Sequence, residues 1–225
     1  LIFVHRRTER LDFTTGLIFS RILGVGYEIT ESRSVFQEWS GPKLFYGQTP
    51  PSEGLFLDAH SLLWDEGVTR QQLNLGKRDG VPVLFRGSHP RSVVGFDLFA
   101  AVFYLVSRYE EYLPFDADVH GRFPSSESLA VRENFLGIPI VNIWCRWLGE
   151  ALKGHYPDLE FKHSSYRHIP TIDIDHAWCF LGRPWWRTLG GMGRSLMKFD
   201  FGHTGRRMAT LLNLQPDPYD TYSFI

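Results

Sequence analysis

YRHIPTIDIDHAW, at residues 166–178, is the stretch that says most about the architecture and chemistry of this chain. Residues 167–174 alternate imperfectly between polar and apolar side chains and are rich in β-branched types, which predicts a strand buried on at least one face. Asp173 and Asp175 stand at the end of that strand. Because side chains two positions apart on a strand point to the same side, both carboxylates are expected to face one site.

The pair Asp173 and Asp175 has the arrangement of a metal site. Two carboxylates buried together repel each other, and a divalent cation offsets that repulsion. The same D-x-D spacing also occurs without a metal, in which case Asp173 caps the following turn and Asp175 is solvated. The residues alone leave both interpretations open.

The composition is that of an ordinary globular protein, with 225 residues, 43% of them hydrophobic, and a formal net charge of -1. A chain of this length can bury a sizeable core in one or two domains. The balanced charge provides no basic field that would attract nucleic acid. No apolar run reaches the roughly 18 residues that span a bilayer. With only Cys145 and Cys179 and no CxxC spacing, a disulfide framework is not expected, and the cytoplasm is the predicted compartment.

Hydrophobic periodicity predicts several elements before residue 163. Helices are predicted at 12–23, 96–113 and 140–153, and strands at 27–30, 44–46 and 81–85. Residues 48–54 are predicted to form a loop, whereas 55–64 fit either a helix or a strand. The first half of helix 96–113 is apolar almost all round, which indicates a central, buried position.

Two groups of residues on these helices have a functional and a structural interpretation. Arg108, Glu110 and Glu111 either line a cleft or form a solvated face with local ion pairs, and the solvated face is favoured. Trp144 and Trp147 are assigned to the core rather than to a ligand platform.

A domain boundary is predicted near residue 163. Residues 154–165 contain glycine, proline, charge and two serines with little apolar periodicity, so the domains are predicted as 1–163 and 164–225. The second domain is rich in arginine and glycine. That basic segment either receives an anionic or polyhydroxylated substrate or is a solvated loop, and the loop is favoured. Asp217 or Asp220 is predicted to cap a helix near the end.

Several motifs together resemble a bacterial polysaccharide deacetylase-like family. They are PTIDIDHAWCFLGR at 170–183, DPYDTY at 217–222, FDLFAAVFYLVSRYEEYLPFDADVHGRF at 96–123, SLA at 128–130 and FLGIPIVNIW at 135–144. In that family an uncharacterised N-terminal domain precedes a catalytic domain of the NodB-homology type. The resemblance implies an α/β chain in which an N-terminal mixed α/β domain is followed by the start of a distorted (β/α) barrel. The implied reaction is hydrolysis of acetyl groups on a carbohydrate.

The resemblance also implies roles for the two carboxylates. Position by position, Asp173 matches the general base and Asp175 matches a ligand of a divalent metal such as zinc. The metal would polarise the acetyl carbonyl and lower the pKa of bound water, and Asp173 would take the proton. This sequence has one extra residue between the carboxylates and lacks the glycine of the family's T-F-D-D-G motif. None of the nine histidines offers the family's H-x-x-x-H spacing, so the pair is expected beyond Ile225 and the fragment is expected to be inactive alone.

Three alternatives to the deacetylase hypothesis remain open. The first is a haloacid-dehalogenase-like phosphatase with Asp173 as nucleophile, although Ala177 and Trp178 stand where Thr or Val is usual. The second is a glycosyltransferase whose D-x-D binds a metal and a nucleotide diphosphate. The third is a non-catalytic relative whose N-terminal domain recognises a glycan or a partner. The oligomeric state is not predicted.

Overall fold

The computed structural model describes residues 1–87, 89–162, 167–171, 173 and 178–220. The chain divides into two units, Leu1–Ser165 and Tyr166–Ile225, called unit 1 and unit 2 below. Together the described residues form a mixed α/β structure with one parallel sheet and several helices. Within this described part, no helix is both long enough and apolar enough to cross a membrane.

A four-stranded parallel sheet lies at the centre of unit 1. Its strands are β1 (Ile2–Phe3), β2 (Ile29–Thr30), β3 (Leu44–Gly47) and β4 (Leu55–Asp58). Their spatial order is β2-β1-β3-β4, and every neighbouring pair is parallel. In the register, Ile2 lies between Ile29 and Leu44. The predicted strands at 27–30 and 44–46 are therefore present, and residues 55–64 begin as a strand.

Both faces of this sheet are covered, as parallel sheets require. On one face, Phe3, Phe45 and Phe56 pack with Phe36 of helix α2 (Arg33–Glu38). The side chains of the opposite face belong to the main core, and they include Ile2, Leu44, Tyr46 and Leu57. Because every residue of β3 is buried, this strand is a continuous apolar run without the alternation that marks a half-exposed strand.

The helix predicted at 12–23 begins earlier than expected. Helix α1 (Glu9–Thr15) starts after Thr8, whose hydroxyl accepts a hydrogen bond from the N–H of Leu11 at 3.2 Å. The chain then continues as a π-helical segment, Gly16–Leu23, which ends at Gly24 in the left-handed conformation.

Helix α3 (Leu98–Val106) confirms the prediction of a central buried helix. Six of its side chains are buried, and they are Leu98, Phe99, Ala100, Ala101, Val102 and Tyr104. The helix is shorter than the predicted 96–113 because Arg108 has a φ of 54°, which breaks the α-helical path. A 3₁₀ turn, Tyr109–Tyr112, follows it.

The rest of unit 1 packs around these elements. A two-stranded antiparallel hairpin is formed by β5 (Gly76–Arg78) and β6 (Val81–Val83), where the strand 81–85 was predicted. Helix α4 (Leu129–Arg132) is a single turn, and helix α5 (Ile140–His155) occupies the predicted range 140–153. Trp144 and Trp147 of α5 are buried, with 0% and 7% of their surface exposed, so their assignment to the core is confirmed.

About half of the described part of unit 2 is helical, in α6 (Trp185–Met197) and α7 (Phe201–Leu211). The arginine-rich segment predicted as a solvated loop therefore forms two helices. The strand predicted at 167–174 is not present at residues 167–171 and 173, which are exposed and have no regular secondary structure. Ile169, for example, is 68% exposed. Strand propensity needs a neighbouring strand and a surface to pack on, and these described residues have neither.

Candidate functional site

Of the two carboxylates singled out by the sequence, the structure describes one, Asp173. Asp173 is exposed and has no regular secondary structure, whereas Asp175 lies outside the described residues. Among the residues that the structure describes, no group of three His, Cys, Asp or Glu side chains could hold a metal ion.

Directly after this motif, the backbone of residues 179–181 is held by one buried side chain. Asp217, which is 4% exposed, accepts hydrogen bonds from three successive N–H groups. The N–H of Cys179 donates to Oδ1 at 2.7 Å, and those of Phe180 and Leu181 donate to Oδ2 at 2.8 and 3.1 Å. The N–H of Tyr219 completes the set at 3.0 Å from Oδ1. The structure thus joins the DPYDTY motif to the segment that follows Asp175.

The charged form of Asp217 is favoured by these contacts. Burial acts to raise the pKa of Asp217, but the surrounding backbone N–H donors outweigh burial and lower the pKa below its ordinary value. The sequence predicted that Asp217 or Asp220 caps a helix near the chain end. The carboxylate of Asp217 accepts from Tyr219 and from residues far earlier in the chain, and residues 221–225, where the predicted helix would begin, lie outside the described part.

One arginine of unit 2, Arg207, connects the two helices of this unit. The guanidinium of Arg207 lies 5.1 Å from the ring centre of Phe180, and Nη1 donates to the carbonyl of Thr188 at 3.1 Å. Any side chain at Gly191 would meet that guanidinium. Arg207 therefore ties α7 to α6, whereas Arg183, Arg187, Arg194 and Arg206 are exposed.

A separate cavity lies in unit 1 at the carboxyl end of the parallel sheet, and we call it the sheet-edge cleft. It has a volume of about 350 Å³ and is lined by residues that end or follow β1 and β3, together with Arg33, Ser61 and Trp64. Its buried walls are aromatic, formed by Phe3, Phe45, Tyr46 and Trp64. Its exposed rim is polar, formed by His5, Arg33, Gln48, Thr49 and Ser61.

Ring contacts order the walls of the sheet-edge cleft. The ring centres of Tyr46 and Trp64 are 5.1 Å apart, and the imidazole of His5 lies 4.1 Å from Trp64. Trp64 is fixed further because its Nε1 donates to the carbonyl of Arg6 at 2.7 Å. Burial, together with the charge of Arg6, lowers the pKa of His5, which favours the neutral imidazole.

Asp97 lies behind this wall and positions Tyr46. The hydroxyl of Tyr46 donates to Oδ2 at 2.8 Å, and the N–H of His60 donates to the same oxygen at 2.6 Å. Oδ1 accepts from the N–H of Ala100 at 2.9 Å, so Asp97 is also the N-cap of α3. Burial raises the pKa of Asp97 to about 7, although these donors oppose the shift.

Arg108, Glu110 and Glu111 do line a cavity, of about 370 Å³, at the end of α3. They also satisfy local partners. Nε of Arg108 lies 2.6 Å from Oε1 of Glu111, and the N–H of Leu129 donates to Glu110 at 2.9 Å. Both interpretations of these residues therefore hold in part, and their polar groups are engaged in holding the turn after α3.

The sheet-edge cleft was missed by sequence reasoning. The signal was available at residues 1–5, where the apolar run LIFV precedes His5, and again where LFYG precedes Gln48 and Thr49. In each of these segments, polar residues follow a short apolar run at its carboxyl end. Only the pairing of β1 with β3 shows that the two polar segments meet.

Comparison with known proteins assigns the first part of the chain to a family. Residues 1–157 match the model of a family of unknown function, DUF7033. Neither a curated protein nor a solved structure matches the chain. The matched residues include the sheet, α1 to α5 and the sheet-edge cleft, and they end before Asp173 and Asp217. The chain therefore belongs to the DUF7033 family.

Proposed function

We propose that this protein removes acetyl groups from a carbohydrate in a metal-dependent reaction, with Asp173 as the general base and Asp175 as a metal ligand. The observation that carries the proposal is the D-x-D spacing at 173–175, placed immediately before a backbone segment that Asp217 holds by several hydrogen bonds. A base must be held in register with its substrate, and a rigid neighbouring segment favours that.

The proposal assigns unit 2 to the start of a distorted (β/α) barrel and unit 1 to an accessory domain. Carboxylate oxygens are suitable ligands for a divalent cation such as zinc. The described residues supply one exposed carboxylate at this position, Asp173, which does not amount to a metal site by itself. Asp175 and ligands outside the described part would complete it. A bound metal would polarise the acetyl carbonyl, and Asp173, being open to solvent, is free to accept a proton from water.

The test compares the intact gene product with its Asp173→Asn and Asp175→Asn variants. Acetate release from a panel of acetylated oligosaccharides is measured with added zinc, and bound metal is measured by elemental analysis. We expect Asp173→Asn to keep the metal but to lose at least about 100-fold in rate, since general bases contribute about 10²- to 10⁴-fold. We expect Asp175→Asn to lose the metal.

Asp158→Asn serves as a matched control because Asp158 is an exposed carboxylate ahead of the motif. Its acetate release and metal content should equal those of the wild type. If the wild type releases no acetate and binds no divalent ion, the chain is not a deacetylase. Its function would then belong to the portion that matches DUF7033.

A further inference from the structure

We propose that the sheet-edge cleft binds a small ring-shaped anion, of monosaccharide size, that carries one phosphate or carboxylate group. The inference rests on unit 1 alone and does not depend on the deacetylase proposal.

The position of the cleft in the sheet is the first argument. From β1 the chain passes to β2 on one side, and from β3 it passes to β4 on the other side. The connections that leave the carboxyl ends of β1 and β3 therefore diverge and open a crevice between them. In open parallel sheets, ligands bind in this crevice. His5 follows β1 and Gln48 and Thr49 follow β3, so the rim is built from both diverging connections.

The walls indicate a ligand with an apolar face. Phe45, Tyr46 and Trp64 are at most 9% exposed, so their rings are held rigidly by the core. A volume of about 350 Å³ is within the common range for small-molecule sites, at its lower end. Gly47 contributes to this space, because a Cβ there would stand 2.8 Å from the Phe45 ring. Because Tyr46 is fully buried, a ligand can reach only the exposed edges of Phe45 and Trp64, and rigid apolar edges around so small a space suit a single ring.

The rim indicates a negative charge on that ligand. Arg33 is the one arginine or lysine on the described lining, which contains no aspartate or glutamate. Its guanidinium carbon lies 5.8 and 5.9 Å from the ring centres of Phe3 and Phe45, so cation–π contacts hold it over the walls. A guanidinium held in this way presents paired N–H donors that match phosphate or carboxylate oxygens.

Among the described residues, Arg33 forms no direct ion pair with a carboxylate, and Glu53, which lines a neighbouring cavity with Arg33, pairs with Lys43 at 3.9 Å. Glu31 accepts from the N–H of Arg7 at 2.6 Å, and Asp65 accepts from Ser61 and Gln71 at 3.3 Å. The amide of Gln48 and the hydroxyl of Thr49 remain at the rim, where they can bond ligand hydroxyl groups. One cation with neutral polar groups over aromatic walls is the pattern expected for an anionic sugar rather than a neutral or cationic one.

Isothermal titration calorimetry on the intact chain tests the proposal with four probes: glucose 6-phosphate, glucuronate, glucose and inorganic phosphate. We expect one of the two charged sugars to bind at least about tenfold more tightly than glucose or phosphate, and their ranking distinguishes a phosphate from a carboxylate ligand. Arg33→Gln should weaken that charged sugar at least about tenfold, because a charge-assisted bidentate contact is lost. Thr49→Trp, which fills the rim from an exposed position, should abolish binding.

Arg21→Gln is the matched control, since Arg21 is an exposed arginine of unit 1 that does not line the cleft, and it should bind as the wild type does. Asp173→Asn should also bind normally, which separates this inference from the deacetylase proposal. Equal affinity for glucose and the charged sugars, or no loss in Arg33→Gln, would overturn the anionic assignment. Failure of both charged sugars to bind would overturn the proposed ligand class.

Discussion

Asp97 is the residue on which three parts of unit 1 depend, because β3, the turn after β4 and helix α3 all donate hydrogen bonds to it. Replacing it by alanine leaves the buried Tyr46 hydroxyl without its acceptor and removes the N-cap of α3. We expect Asp97→Ala to lower the free energy of unfolding by about 3 kcal/mol, combining a lost cap with buried unsatisfied donors. Denaturant titration of the intact chain measures this loss.

Ser32→Ala is the matched control for that substitution. Ser32 caps α2 but is exposed, and its hydroxyl accepts from the N–H of Val35 at 3.4 Å. Its loss should be below about 1 kcal/mol. If Asp97→Ala is no more destabilising than Ser32→Ala, the buried hydrogen bonds of Asp97 contribute little.

The same residue makes stability depend on pH. Burial raises the pKa of Asp97 from 3.8 to about 7, so the folded chain holds this proton more tightly than the unfolded chain does. The stabilising contribution is complete below pH 3.8 and is lost as the pH rises towards about 7. The stability of the wild type relative to Asp97→Asn should therefore fall over this interval, as measured by unfolding at successive pH values. A constant or rising difference contradicts it.

At this scale the sequence predicts local roles better than distant partners. Asp97 was expected near the start of a helix, and Trp144 was expected in the core, because helical spacing and capping are local properties. That Tyr46 and His60 also reach Asp97 depends on how β3 and β4 pair, which no local pattern contains. Asp217 was given a local capping role for the same reason, whereas three of its four backbone donors lie 36 to 38 residues away.

At the scale of elements, the end of the π-helical segment depends on Gly24. Its φ is +64°, and a Cβ there would stand 2.8 Å from Cβ of Lys162 and 3.0 Å from its carbonyl oxygen. Lys162 also donates its N–H to the carbonyl of Gly24 at 3.3 Å. Gly24→Ala combines a left-handed conformation with this clash, so we expect a loss of about 2 kcal/mol in unfolding free energy.

Gly26→Ala is the natural comparison, two residues further on. Nothing lies within 4 Å of a Cβ at Gly26, and its φ is not positive. Its effect should stay within about 0.5 kcal/mol. Similar losses for both variants, measured by thermal and denaturant unfolding, would show that the close approach of Lys162 does not matter.

Elements with a clear local pattern were predictable, and those without one were not. Helices α3 and α5 were predicted from their apolar stripes, and β2 and β3 from short strand-like runs, whereas β1 is only two residues long and was not predicted. The strand predicted at 167–174 shows the opposite error. Its β-branched composition satisfied the local criterion, but the described residues there lack a neighbouring strand.

At the scale of the whole molecule, the two units differ in how much they bury. Among described residues of unit 2, Phe180 is the one buried apolar side chain, whereas the core of unit 1 is extensive. Several large apolar side chains of unit 2 are exposed, including Trp185 at 72% and Phe199 at 80%. Because opening costs less where few apolar contacts are broken, we expect limited proteolysis to cut first within residues 166–220.

The products are identified by mass spectrometry at short digestion times. Unit 1 should persist as a fragment that ends close to residue 165. Early cuts before residue 160 would contradict the prediction, since they would show that unit 1 opens at least as easily as unit 2.

The mixed α/β class was predictable from the whole sequence, but the arrangement of the sheet was not. Short apolar runs such as residues 44–46 indicate strands, while the order β2-β1-β3-β4 follows from long-range pairing. The sheet-edge cleft is a product of that order. It could not be found by scanning for motifs, because His5, Arg33 and Thr49 are separated along the chain and meet only in the folded sheet.

The hydrogen bonds to Asp217 have a consequence for how relatives of this chain can vary. They join residues 179–181 to Asp217, so that residues 182–216, which contain α6 and α7, form a loop with connected ends. Lengthening a loop whose ends are already joined costs little, because closure entropy grows slowly with length. Relatives can therefore gain or lose residues between α6 and α7 while residues 179–181 keep their position, provided that the carboxylate of Asp217 is retained.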